Sequence, residues 1–140
     1  MIRNLPEKEP PMYTIDEFEE ILNKVAEEIP PEYYEKLNGG ILVLEECKPH
    51  PQGLGDLYIL GDYNRRYDFG RYICVYYGSF VRNFPYLDRD QLKTKLREVL
   101  RHEFTHHVES LAGEKDLEIE DAEQLRRYKE SHHVFKRKDR

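Results

Sequence analysis

The chain has no tryptophan, only two cysteines and two methionines, and no apolar run near the roughly 20 residues that a membrane-crossing helix requires. Two cysteines are too few for a disulfide scaffold or a sulfur-only metal site. Cys47 and Cys74 stand in different segments outside any CxxC arrangement, and are expected as reduced, partly buried thiols. Metal chemistry would therefore have to use histidine and carboxylates. The opening MIRNLPEKEPP lacks the apolar stretch of a signal peptide, so the expectation is a cytoplasmic protein that touches no membrane. Positive charge is also short: 22 basic against 28 acidic residues give a net charge of −6. That balance argues against a nucleic-acid partner, even with Arg65, Arg66, Arg71 and the closing KRKDR.

What remains suits one domain, since 140 residues with 39% hydrophobic and 12% aromatic content can close a single core. Residues 1–12 are charged and proline-rich and are expected as an extended arm, 13–131 as the domain, and 132–140 as a charged tail. Thr14 and Glu17 have the spacing of a capping box; Phe18, Ile21, Leu22 and Val25 follow at helical period until Pro30 and Pro31 block continuation. A short helical piece over 32–37 should end at Asn38, Gly39 and Gly40. β-branched and aromatic runs then predict strands over 41–46, 57–60 and 72–80, with turns or a loop over 47–56 and 61–70. Asp88 with Gln91 opens the longest helix, and Leu92, Leu96, Val99, Leu100, Phe104 and Leu111 carry its apolar arc to a stop at Gly113. A further helix is expected over 119–130.

Inside the long helix lies His102-Glu103-Phe104-Thr105-His106, an HExxH. At about 100° per residue the two histidines are about 40° apart around the axis and one turn of about 6 Å along it, so both imidazoles can grip one cation while Glu103 flanks the open position. With Leu92 as zero, Leu96 and Val99 fall near 40° and −20°, His106 near −40° and His102 near −80°, at about 100° per residue. The pair therefore sits on the rim of the apolar arc, where a cleft floor would be, and not on the solvated back of the helix.

RHEFTHHVESLAGEKD resembles the active-site helix of the minimal zincin-like metallopeptidases, small intracellular bacterial proteins with the signature HExxHxxGxxD and often a second His directly after the motif, here His107. The resemblance implies an α+β fold: a small zincin-like domain with an N-terminal helix, a three- to four-stranded mixed sheet, the long HExxH helix and a C-terminal helix. It also implies a zinc-dependent peptidase in which Zn²⁺ is held by His102, His106 and a carboxylate, and Glu103 is the catalytic base. The chain departs from the signature at its end, with Glu109 at the glycine position and Ala112 at the aspartate position. One extra helical turn restores it over 113–116 and makes Asp116 the third ligand. In an unbroken helix Glu109 would lie about 10 Å from the ion, beyond its reach of about 7 Å, whereas a turn at Gly113 brings Asp116 back. Glu109, Glu114, Glu118, Glu120 and Asp121 stay as alternatives.

Tyr76, Tyr77 and His107 are candidates for a further oxyanion donor. By analogy with such folds, the segment 71–80 is expected to take an extended peptide by strand addition. The expected partner is a peptide or protein substrate and the expected state a monomer. A reading from another class is a metal-stabilised binding or regulatory domain that cleaves nothing.

Overall fold

The computed structural model describes residues 11–53 and 55–131; the expected tail over 132–140 and all but the end of the expected arm lie outside them. Two compact units divide the chain, one reaching to His107 and one starting at Val108.

In the first unit, α1 (Ile15–Glu28) opens with the expected capping box: Thr14 Oγ1 accepts from the Glu17 N–H at 3.2 Å, and Glu17 Oε1 accepts from the Thr14 N–H at 2.8 Å. Its apolar stripe of Phe18, Ile21, Leu22 and Val25 is buried. A single 3₁₀ turn, Pro31–Tyr34, follows the two prolines, and β1 (Gly40–Leu44) begins after it. The short ribbon β2 (Lys48–Pro49) and β3 (Tyr58–Ile59) is antiparallel. Next come β4 (Gly61–Arg66), β5 (Gly70–Tyr76), α2 (Tyr77–Asn83) and α3 (Arg89–Ser131).

The main sheet is mixed, in the order β1-β5-β4, with β1 parallel and β4 antiparallel to the central strand. In register, Val75 faces Gly61, Ile73 faces Tyr63 and Cys74 faces Asp62, so Gly61, Tyr63, Ile73 and Val75 share one face. The core joins Ile73 and Val75 of that face to the α1 stripe, to Phe80 of α2 and to Leu92, Leu96, Leu100 and Phe104 of α3. Asp88 and Gln91 form the second capping box, with Asp88 Oδ1 2.8 Å from the Gln91 N–H and Gln91 Oε1 2.9 Å from the Asp88 N–H. The α+β class and a three-stranded mixed sheet thus agree with expectation.

Three elements differ from it. Segment 72–80 does not stay extended: β5 ends at Tyr76 and α2 starts at once, because Gly78 lets the chain pass against the backbone of Glu45 and Glu46, where a Cβ would meet the Glu45 carbonyl at 2.5 Å. The expected loop over 61–70 holds strand β4, whose GDYNRR has almost no hydrophobic alternation and is extended by its pairing to β5. Gly113 does not stop the long helix, and among the described residues no separate C-terminal helix exists. A single interior glycine costs only about 1 kcal/mol against alanine, and Ala112, Glu114, Lys115, Leu117 and Glu118 around it all favour helix.

The second unit, over its described residues 108–131, consists of the remainder of α3. Leu117, Ile119, Leu125 and Tyr128 are exposed there, and Arg126 pairs with Glu123 and Glu130 at helical spacing. Among the described residues no helix is long and apolar enough to cross a membrane.

Candidate metal centre

The HExxH segment lies on α3 within the first unit, where Leu100 and Phe104 anchor the helix in the core and so aim the intervening side chains along its rim. His102 and His106 are exposed, and their Nε2 atoms stand 3.1 Å apart, with the rings edge to face at 89°. Two nitrogens on one tetrahedral Zn²⁺, each about 2.0–2.1 Å from it, would be about 3.3 Å apart. The spacing is therefore compatible with a shared cation. One ligand atom each from His102, Glu103 and His106 falls within 4.8 Å of the others, the one such cluster among the described residues.

Glu103 differs from its neighbours in being buried, at 5% exposure. Burial pushes its carboxyl above the usual carboxylate range; His102 and His106 pull it back, and the Asp62 carboxylate adds a smaller upward push. A carboxylate that holds a proton more readily than usual is suited to receiving one near neutral pH.

β4 runs beside this carboxylate. A Cβ on Gly61 would meet Val99 Cγ1 at 2.8 Å and the Cys74 carbonyl at 3.1 Å, with Glu103 Cγ at 3.8 Å, so only glycine lets the strand approach α3 this closely. The next residue, Asp62, accepts from Lys48 Nζ at 2.7 Å, and the Tyr76 hydroxyl lies 3.0 Å from Asp62 Oδ2 and 3.2 Å from Lys48 Nζ. The Tyr76 phenol is pushed up, chiefly by burial. Only the fold assembles this Lys48–Asp62–Tyr76 cluster. Its members are 14 and 28 positions from Lys48, and no local spacing announces them.

Several expected site residues are placed otherwise. His107 is fully buried, with Nε2 2.8 Å from the Glu35 carbonyl oxygen and Nδ1 2.7 Å from the Tyr63 hydroxyl, so both ring nitrogens are engaged inside the unit. The Tyr77 hydroxyl donates to the Tyr13 carbonyl at 2.9 Å. Neither is free to serve as an oxyanion donor. β5, within the segment expected to add a peptide strand, is central and paired on both sides; among the described residues the outer strands of the sheet are β1 and β4. Asp116, like Glu109, Glu114, Glu118, Glu120 and Asp121, lies on the helix of the second unit, and α3 runs straight through Gly113 without the turn that the Asp116 assignment needed.

No family model matches the chain, and no curated protein matches it. A solved structure is similar, a conserved hypothetical protein from Thermo thermophilus: 33% of residues are identical, the match covers 72% of this chain and 99% of that one, and the TM-score is 0.62.

Proposed function

We propose that this chain, which belongs to one family with the conserved hypothetical protein of Thermo thermophilus, is a zinc-dependent metallopeptidase of zincin-like fold. The observation that carries the reading is the 3.1 Å approach of His102 Nε2 and His106 Nε2 beside the buried Glu103 carboxyl. Both imidazoles are exposed, which leaves a bound ion open to solvent and substrate, as a catalytic site needs and a closed structural site does not. His102 and His106 would hold the ion beside Glu103. When bound, zinc supplies Lewis acidity, drawing the pKa of water toward about 7 and polarising a peptide carbonyl.

The chain's own chemistry rests on Glu103. Its carboxylate accepts the proton of the attacking water, keeps it in a site that favours the protonated form, and returns it to the leaving amine. An extended peptide would pair with the outer edge of β4, which brings its backbone past Gly61 and so past Glu103.

Metal per chain tests the first half of the reading: about one zinc per wild-type chain and almost none for the combined His102→Ala and His106→Ala variant, as a two-imidazole site requires. Equal contents would end it. Glu103→Gln should keep the metal and lower turnover of an unstructured polypeptide by about 10²–10⁴-fold, the usual worth of a positioned acid–base group. Metal without turnover in the wild type would instead select the non-catalytic binding domain.

A further inference from the structure

We propose that Tyr63 and His107 are a positioning pair that fixes the free edge of β4 against the metal-site helix and thereby sets the affinity for an extended peptide; the inference rests on the peptidase reading above. His107 follows His106 directly, yet about 100° further round the helix it is buried in the interior. The Glu35 carbonyl can only accept, so Nε2, 2.8 Å away, carries the ring proton. In the neutral ring Nδ1 is then an acceptor, and the Tyr63 hydroxyl donates to it across 2.7 Å. One imidazole thus ties three segments together: α3, the chain just after the 3₁₀ turn, and β4.

β4 needs such a tie. Among the described residues it pairs with β5 along one side only, and no second strand there holds its other edge. Two of its approaches to α3 lie two residues apart. Gly61 touches Val99 and approaches Glu103, and Tyr63 bonds His107. The first is a close steric approach with no hydrogen bond to α3 among those shown, whereas the second is a directional hydrogen bond to a buried ring. Tyr63 packs tilted on the imidazole at 5.4 Å between ring centres, so phenylalanine at this position would keep the packing and lose the direction. A ladder built on the edge of β4 inherits whatever play the strand has, and its cost falls on peptide binding rather than on the proton transfers at Glu103.

The test compares zinc-loaded wild type with Tyr63→Phe. We expect unchanged metal per chain, a KM for an unstructured polypeptide raised about five- to tenfold by the lost hydrogen bond, a kcat within about twofold, and faster amide exchange over 61–66 but not over 41–44. A role in general stability alone would speed exchange in both strands and leave the KM-to-kcat split unmoved. His107→Gln, whose amide can still donate to Glu35, should speed exchange over 61–66 as well, and adding Tyr63→Phe to it should change nothing more. Wild-type exchange over 61–66 together with wild-type KM in Tyr63→Phe would overturn the proposal, as would full additivity of the two variants. If the wild type cleaves no peptide, the peptidase reading fails and exchange alone decides the tie: faster exchange at 61–66 upholds it, and unchanged exchange removes it.

Discussion

Up to His107, α3 buries Leu92, Leu96, Leu100 and Phe104, whereas from Val108 on it leaves Leu117, Ile119, Leu125 and Tyr128 at 53–60% exposure. Leu117, Leu125 and Tyr128 fall within about 80° of one another at about 100° per residue while Ile119 points away, yet none of the four is buried. The earlier stretch is a helix because a core needs its face. The later one is a helix because its residues individually prefer that state and because Arg126 pairs with Glu123 and Glu130. One continuous element therefore has two causes, and the HExxH sits on the stretch that tertiary packing holds still. His102, Glu103 and His106 are flanked and interrupted by the anchors Leu100 and Phe104, and a metal centre benefits from fixed geometry of that kind more than from exposure alone.

The sharpest way to break this contrast is to truncate one leucine in each stretch. Leu100 is fully buried, and Leu100→Ala should cost about 2–5 kcal/mol in equilibrium unfolding; Leu125→Ala, at an exposed site, should stay within about 0.5 kcal/mol. Comparable losses would show that the later stretch is held by packing after all.

Glycine gives a finer contrast, because the same substitution should have opposite signs. Gly61→Ala drives a Cβ into Val99 and the Cys74 carbonyl and should destabilise by about 1–3 kcal/mol, with loss of the close approach to Glu103. At Gly113 a Cβ meets no atom within 4 Å and the backbone is helical, so Gly113→Ala should stabilise by about 0.4–1 kcal/mol in the same denaturant titration. Destabilisation at both positions would mean that Gly113 has a conformational role that a continuous helix does not require.

These two glycines also show what could be read from the sequence. Periodicity, caps and the HExxH identified α1, the first stretch of α3 and the closeness of His102 to His106, because each is a local pattern that packing only reinforces. Gly113 looked like a stop because a glycine after an apolar arc usually is one; the helix-favouring residues on both sides outweigh it. β4 was invisible for the opposite reason. GDYNRR has no strand pattern of its own and is extended by β5, so the strand nearest Glu103, and with it Gly61, Asp62 and Tyr63, could be found only in the fold. His107 falls inside the apolar arc of α3, so its burial follows the helical period, whereas its partners Tyr63 and Glu35, 44 and 72 positions away, could be found only in the fold.

The last contrast is electrostatic and concerns two glutamates of the same helix. Glu103 is buried in the earlier stretch and Glu118 is exposed in the later one. Burial raises the Glu103 carboxyl, so between its ordinary unfolded pKa and its higher folded one the native state binds more protons than the unfolded state, and stability falls as pH rises through that window. Below the window both states are protonated and no penalty exists; above it the full penalty is present. In metal-free protein Glu103→Gln should therefore raise the melting temperature at neutral pH, and the gain should shrink to nothing as the pH is lowered past the ordinary carboxylate range. Glu118→Gln, at an exposed position, should change stability at neutral pH by no more than about 0.5 kcal/mol. A Glu103→Gln protein less stable than the wild type at neutral pH would mean that the ionised carboxylate is held by the two imidazoles more strongly than burial opposes it. The site would then be a settled ion cluster rather than a base kept at an energetic cost for its chemistry.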